Sequence, residues 1–192
     1  MGVVKDKFWL DAEKTALVII DVQEKLAPAM NQSLYGQLIQ HTNLLIEGFK
    51  ALGLPIIATE QYPQGLGHTV TELPGVASQD CIEKMTFSCC GDDKFMAALE
   101  KSEAKQVLIV GMETHVCVFQ TALDLLDRGY VVHLVSDALC SRFQSDYANA
   151  IKASARAGAV ITTTETALFQ LVKVAGTDSF KAISKLIRQR TA

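Results

Sequence analysis

The chain alternates short, uninterrupted apolar runs with longer segments of helical periodicity. The first such run, Thr15–Ile20, is rich in β-branched residues and carries no charge, a pattern typical of a strand buried on both faces. From about Ser33 to Leu52, apolar residues are spaced for one face of a helix, and Gly53 follows as a stop. Strands joined by helices in this order form right-handed βαβ units. The sequence therefore predicts a three-layer, Rossmann-like α/β fold, with a doubly wound, mainly parallel sheet and helices on both faces.

The same alternation continues to the end of the chain. Further strands are predicted at Pro55–Thr59, Gln106–Val110, Tyr130–Val135 and Ala159–Thr162. Further helices are predicted at about 93–101, 116–128, 145–157, 166–173 and 180–190. The segment 60–91 is predicted to be irregular, and long loops in compact domains are often functional. With 192 residues and no linker-like stretch, the chain is expected to form a single domain over residues 1–192.

Composition excludes several classes of protein. The chain is 49% hydrophobic and 20% charged, which indicates a globular protein rather than a disordered one. The net charge of −3 disfavours nucleic-acid binding. No stretch approaches the ~18 apolar residues of a membrane span. The beginning of the chain lacks a signal-peptide core, and the five cysteines form no Cys-x-x-Cys pair. We therefore expect a cytoplasmic protein with reduced thiols, no membrane association and no metal site.

Candidate functional residues lie where the predicted strands end, because ligands of parallel sheets bind beyond the carboxyl ends of the strands. Asp21 follows the first strand and suits a base or an ion-pair partner, or it caps the next turn. Cys117 falls in the first turn of a predicted helix, where the helix dipole favours a thiolate and free N–H groups can hold an oxyanion; a buried structural cysteine is the alternative. Lys84 would by default be a surface lysine, and His115 is a candidate partner for the cysteine.

Three blocks of sequence, Ala16–Lys25, Lys84–Ser88 and Gly111–Tyr130, together resemble the isochorismatase-like cysteine hydrolases. That family includes nicotinamidases, N-carbamoylsarcosine amidohydrolases and isochorismatases, and the resemblance spans nearly the whole chain. Glu60–Gly67 and Leu125–Gly129 are most similar to the isochorismatase-domain-containing subgroup, some members of which are labelled mitochondrial-associated ribonucleases. The segment Glu60–Gly67 stands where nicotinamidases have a run of an aspartate and paired histidines that binds a metal.

The resemblance implies a catalytic triad of Asp21, Lys84 and Cys117. It also implies a cis peptide bond between Met112 and Glu113, and an oxyanion hole formed by the backbone N–H groups of Glu113 and Cys117. The activity it implies is hydrolysis of a C–N bond, in an amide or ureide, through a thioester on the cysteine and without a cofactor. Family members lean toward homo-oligomers, so we expect one here.

The substrate is expected to be a small molecule, which the sequence does not identify. The residues expected to line its pocket are Gln23, Glu60, Gln61, Tyr62, Phe87 and His115. Two alternatives remain open: a non-catalytic binding or scaffold protein with the same fold, and a ribonuclease, as the subgroup label indicates. The intact triad argues against the scaffold, and the acidic balance without a basic and aromatic stripe argues against the ribonuclease.

Overall fold

Six parallel strands form the central sheet of the computed structural model, which describes residues 3–76 and 78–188. They are β1 (Thr15–Ile20), β2 (Ile56–Gln61), β3 (Ile82–Lys84), β4 (Gln106–Gly111), β5 (Val131–Leu139) and β6 (Val160–Thr162). Their order is β3-β2-β1-β4-β5-β6, and every neighbouring pair is parallel. The chain thus winds outward from β1 in both directions, and the predicted doubly wound α/β fold is confirmed.

Helices cover both faces of the sheet. Those of the described residues are α1 (Val3–Phe8), α2 (Gln32–Leu52), α3 (Pro63–Leu66), α4 (Asp93–Lys101), α5 (Phe119–Asp127), α6 (Gln144–Ala157), α7 (Thr164–Val172) and α8 (Asp178–Ile187). None of the helices in these ranges is both long and apolar enough to cross a membrane.

Alternate residues of the central strands supply two separate cores. Leu17 and Ile19 of β1 belong to a core with α2, α7 and α8, which contains Phe49. Val18 and Ile20 belong to a second core, with α4, α5 and α6. All six residues of β1 are buried, as expected of a central strand covered on both faces. At about 25 cal/mol per Å² of buried apolar surface, these two cores are the main stabilising contribution to the sheet.

The structure departs from the predicted elements at several places. Helices α1 and α3 were not predicted. The segment 60–91 contains β3, a three-residue edge strand too short to give a periodic signal. β5 runs to Leu139, four residues further than predicted. The predicted helix 116–128 begins earlier, as a π-helical turn at Thr114–Val118, and α5 continues it. The end of the predicted helix 180–190 lies outside the described residues.

Candidate active site

Asp21 and Lys84 form a buried ion pair at the carboxyl edge of the sheet. Asp21 follows β1 and Lys84 ends β3, so the lysine side chain reaches across the end of the intervening β2. Lys84 Nζ lies 2.7 Å from Asp21 Oδ2, and both side chains are 0% exposed. Burying two charges costs several kcal/mol per ion unless each is paired and hydrogen-bonded. The default expectation of a surface lysine is therefore wrong for Lys84.

The Lys84 ammonium is surrounded by acceptors. Besides Asp21, it donates to Gln61 Oε1 at 2.7 Å and to the carbonyl oxygens of Thr86 and Phe87 at 3.2 Å each. Burial by itself lowers the pKa of the lysine, but the Asp21 carboxylate and neighbouring cysteines outweigh burial and raise it. The lysine is consequently held as a charged ammonium. Gln61, expected only to line the pocket, instead orients this ammonium.

The second oxygen of Asp21 is also held. Thr59 Oγ1 donates a hydrogen bond of 2.7 Å to Asp21 Oδ1, from a position on β2 two residues before Gln61 and on the same face. The backbone of Asp21 has a φ of 52°, a left-handed conformation that turns the chain out of the strand direction. The carboxylate is thereby fixed between Thr59 on one side and Lys84 on the other. Sequence reasoning gave Thr59 no role, although the two-residue period of a strand places it beside Gln61.

Cys117 lies in the π-helical turn that follows β4, beside Asp21. The turn comes after a cis peptide bond between Met112 and Glu113. Cys117 is only 6% exposed, and its thiol is affected by the charges of Asp21 and Lys84. Burial raises the pKa of the thiol, the Asp21 charge raises it further, and the Lys84 charge opposes both. The lowered pKa expected from the helix start is therefore wrong: the resting side chain is a thiol.

A second thiol, Cys89, belongs to the same cluster. Its side chain is fully buried, and its Sγ lies 3.8 Å from Thr59 Oγ1. The Cys89 N–H donates to Thr121 Oγ1 at 2.9 Å, and that hydroxyl donates to the Cys117 carbonyl oxygen at 2.6 Å. Burial, followed by the negative charge of Asp21, raises the pKa of Cys89 to about 12. Cys89 was given no functional role from the sequence, because nothing in the local pattern connects it to Asp21.

Gln23 braces the main chain beside the site through hydrogen bonds of its side-chain amide. Its Oε1 accepts from the Gln61 N–H at 2.7 Å, and its Nε2 donates to the carbonyl oxygens of Gly67 at 2.6 Å and Gln61 at 3.1 Å. The side chain is fully buried. Its amide is thus committed to backbone partners, in place of the expected pocket-lining role.

Glu60 likewise has a different role from the expected one. It is 1% exposed and lies on the face of β2 opposite Gln61. Its carboxylate accepts from the Thr69 N–H at 2.6 Å, from the Ser78 hydroxyl at 2.9 Å and, on the other oxygen, lies 3.0 Å from His68 Nδ1. Burial alone raises the pKa of Glu60, but these partners outweigh burial and hold the pKa below its ordinary value. Glu60 therefore anchors the loop that follows β2.

Two of the other expected pocket residues lie beside Lys84 and reach solvent. Tyr62 is 44% exposed, and its backbone N–H donates to the Lys84 carbonyl oxygen. Phe87 is 54% exposed, and its carbonyl oxygen accepts from the Lys84 ammonium.

His115 is oriented toward α6 and the loop before it. Its Nδ1 lies 3.0 Å from Ser141 Oγ and 3.8 Å from Glu113 Oε2, and its Nε2 lies 3.7 Å from Asp146 Oδ2. The carboxylate whose charge raises the pKa of the Cys117 thiol is Asp21, which makes Asp21 a better candidate base for Cys117 than His115. Across residues 3–76 and 78–188, no group of three or more His, Cys, Asp or Glu side chains is arranged to hold a metal ion.

Comparisons with known proteins point to one protein family. A family model described as the isochorismatase domain matches residues 15–166. Isochorismatase domain-containing protein 1 of Salmo salar is 38% identical over 91% of this chain and 61% of its own length. Isochorismatase family protein 1B of Dictyostelium discoideum is 37% identical over 93% of this chain and 88% of its own length.

A solved structure, that of the MAR1 ribonuclease from Caenorhabditis elegans, matches with a TM-score of 0.86 and 39% identity. It covers 94% of this chain and 92% of that one. The chain spans only about three fifths of the first curated relatives that it matches.

Proposed function

The chain belongs to the isochorismatase domain family, and on that premise we propose that it is a cofactor-independent cysteine hydrolase that cleaves a C–N bond in a small amide or ureide. The observation that carries the proposal is the buried ion pair of Asp21 and Lys84 at the carboxyl edge of the sheet, whose two charges act in opposite directions on the pKa of the Cys117 thiol. Cys117, Asp21 and Lys84 are the nucleophile, the base and the cation of this proposal, the groups that covalent catalysis by a cysteine requires.

Activation of the nucleophile proceeds by proton transfer within the cluster. Asp21 takes the proton of the Cys117 thiol, and the Lys84 ammonium then pairs with the thiolate in place of the carboxylate. One cation and one anion are buried before and after the transfer, so the desolvation penalty changes little. This explains how a thiol with a raised pKa becomes a nucleophile: the net charge of the cluster stays the same while the proton moves from Cys117 to Asp21.

The thiolate attacks the carbonyl carbon of the substrate, and the resulting oxyanion is held by the backbone N–H groups of Glu113 and Cys117. One such donor contributes roughly 3–4 kcal/mol to transition-state stabilisation. The protonated Asp21 then gives its proton to the leaving nitrogen. Water, deprotonated by the same carboxylate, hydrolyses the thioester and restores the thiol.

The proposed substrate pocket lies at the exposed side of the cluster. Tyr62 and Phe87 form its aromatic walls, because each is joined through its main chain to Lys84 and each reaches solvent. His115 lies on the turn that carries Cys117. We further propose that the protein is a homo-oligomer and works in the cytoplasm, where its free cysteines stay reduced.

The test is release of ammonia from a panel of small primary amides and ureides by the purified protein. Turnover of at least one compound is expected, with a loss of about 10³-fold or more in Cys117→Ala and Asp21→Asn. Cys140→Ala is the matched control, since Cys140 is equally buried but is not in contact with Asp21. Turnover that survives in Cys117→Ala would contradict the proposal, as would the absence of turnover across the whole panel.

The name of the Caenorhabditis elegans protein favours one second candidate, a ribonuclease. The net charge of −3 argues against it, since RNA binding depends on neutralising phosphates. Incubation with single-stranded RNA at low salt separates the two candidates. Cleavage that Cys117→Ala abolishes would support the ribonuclease, and intact RNA beside amide turnover would exclude it.

A further inference from the structure

The proposed hydrolysis leaves one thiol of the cluster without a task. Cys89 is fully buried, yet it interacts electrostatically with Asp21, Lys84 and Cys117. A buried cysteine is ordinarily an inert packing residue in apolar surroundings. Cys89 lies with Cys117 in one of the two apolar cores, but its thiol also contacts Thr59, which is hydrogen-bonded to Asp21, so Cys89 is connected to the proposed base.

Thr59 connects the Cys89 thiol to the proposed base. A threonine hydroxyl has a single proton, and Thr59 gives it to Asp21 Oδ1 at 2.7 Å. In the contact of 3.8 Å between Cys89 Sγ and Thr59 Oγ1, the thiol is therefore the donor and the Thr59 oxygen is the acceptor. A proton can pass from Cys89 to Thr59 while Thr59 passes its own to Asp21. The base that serves Cys117 is thus also connected to Cys89.

Thr121 holds the two cysteine main chains together. Its hydroxyl oxygen accepts from the Cys89 N–H at 2.9 Å and donates to the Cys117 carbonyl oxygen at 2.6 Å. One bridging oxygen therefore joins the main chains of the two cysteines, which belong to the same buried cluster. A disulfide between them needs a Cα separation of roughly 4.4–6.8 Å, and the proposal requires that the two turns reach it. The 3₁₀ turn Cys89–Gly91 carries the first cysteine and the π-helical turn carries the second.

We propose that Cys89 is a resolving cysteine, which forms a reversible disulfide with Cys117 after hydrogen peroxide has oxidised Cys117 to a sulfenic acid. This modification site rests on the proposed role of Cys117 as nucleophile, and it adds a redox control to the proposed function. The disulfide blocks hydrolysis while it lasts and prevents irreversible oxidation of Cys117 to the sulfinic acid.

The two steps balance. In the first, the Cys117 thiolate attacks one peroxide oxygen, an S–O bond forms and the O–O bond breaks. The hydroxide that leaves takes the proton held by Asp21 and becomes water; the sulfur loses two electrons and peroxide gains them. In the second, the Cys89 sulfur attacks the Cys117 sulfur, an S–S bond forms and the S–O bond breaks. The proton of Cys89 passes through Thr59 to Asp21 and on to the departing hydroxide, which leaves as a second water.

The experiment treats the reduced, purified protein with a small excess of hydrogen peroxide and maps the products by mass spectrometry. The expected product of the wild-type chain has lost about 2 Da and contains a Cys89–Cys117 cross-linked peptide. Alkylation of Cys117 by iodoacetamide is expected to fall at least tenfold, which is about the limit that peptide quantification resolves. Dithiothreitol is expected to restore the alkylation. In Cys89→Ser and Cys89→Ala, Cys117 instead gains about 32 Da, and dithiothreitol does not reverse the change.

Cys90→Ser is the matched control, because Cys90 is adjacent and buried, but the charges that act on its thiol are those of Asp124 and Arg128. It is expected to form the disulfide as the wild-type chain does. A disulfide to any other cysteine, absence of Cys117 oxidation, or sulfinic acid forming in the wild-type chain as fast as in the Cys89 variants would each overturn the proposal. Because the readout needs no substrate, a disulfide without amide turnover contradicts only the proposed function, and turnover without a disulfide contradicts only the switch.

Discussion

Replacing Lys84 with methionine tests the central electrostatic claim, because it removes the charge and keeps much of the side-chain length. The substitution leaves Asp21 and Cys117 buried without a cation, and it leaves Gln61 Oε1 and two carbonyl oxygens without their donor. Removing one partner of a buried ion pair typically costs about 3–5 kcal/mol. We therefore expect the free energy of unfolding to fall by about that amount in urea titrations.

The loss of the Lys84 charge also predicts a change in the pH dependence of Cys117 alkylation. In the wild-type chain the thiolate arises by internal proton transfer to Asp21, which needs no proton exchange with solvent, so iodoacetamide alkylation changes little between about pH 6 and pH 8. Without the lysine, a loss of about 3–5 kcal/mol raises the proton affinity of the Asp21–Cys117 cluster by roughly 10²-fold or more. The cluster then takes up a proton from solvent as the pH falls toward 6.

The assay is peptide-resolved alkylation of Cys117 with limiting iodoacetamide. We expect the rate ratio between pH 8 and pH 6 to rise to at least about tenfold in Lys84→Met, with slower alkylation than wild type at the lower pH. Lys94→Met is the control: Lys94 is exposed on α4, and a change within about 0.5 kcal/mol and an unchanged alkylation profile are expected. If folded Lys84→Met alkylates at the wild-type rate across this range, Lys84 is not coupled to Cys117 and the triad assignment fails.

Four further outcomes are expected. Thr59→Val removes the hydrogen bond to Asp21 Oδ1 and is expected to lower the free energy of unfolding by about 1.5–3 kcal/mol, most of which Thr59→Ser restores; equal losses in both variants in urea would show that this bond contributes little. Because the pKa of Glu60 is held down, its stabilising contribution is present at neutral pH and is lost as the pH falls. The stability difference between the wild-type chain and Glu60→Gln should therefore shrink between about pH 7 and pH 3, and a constant difference would contradict this linkage. Light scattering at micromolar concentration should give a mass above that of the 20.9 kDa chain, and a monomer alone would defeat the proposed homo-oligomer. Elemental analysis should find no stoichiometric zinc or iron, and chelators should leave activity intact; a tightly held equivalent of metal would overturn this expectation.

The fold was predictable wherever a segment carried its own periodic signal. β1 is recognisable because it is an apolar run without a charge, and all its residues are buried in the structure. α2 is recognisable because it is long and ends at Gly53, which adopts the left-handed conformation. β3 was not recognisable as a strand, since three residues at the edge of a sheet present no period to count. Its position depends on pairing with Thr59–Gln61 of β2, an interaction that is not written in the local sequence.

The residues of the candidate site differ in the same way: some were predictable from the local sequence and others were not. Asp21 and Cys117 were located by the rule that function gathers beyond the carboxyl ends of parallel strands, a rule that needs only the strand positions. Lys84 was assigned through a resemblance, because its side chain reaches the site by crossing the end of β2. Gln23 and Glu60 were expected to line the pocket, but their hydrogen-bond partners show that they brace main chain and loop. A polar residue at a strand end suits either role, and the local sequence does not distinguish the two.

The direction of the Cys117 pKa shows why a single local effect was insufficient to predict reactivity. A helix start favours a thiolate, but burial and the adjacent Asp21 charge oppose it and are stronger here. The thiol form is the one that tolerates a desolvated site, because it adds no second anion beside the carboxylate. Lys84 cannot serve two anions at once, so it stabilises whichever of Asp21 and Cys117 has lost its proton. In the proposed mechanism the reactive state is therefore reached by moving one proton inside an assembly of constant charge, and Thr59, Gln61 and Lys84 act together by holding the acceptor of that proton in place.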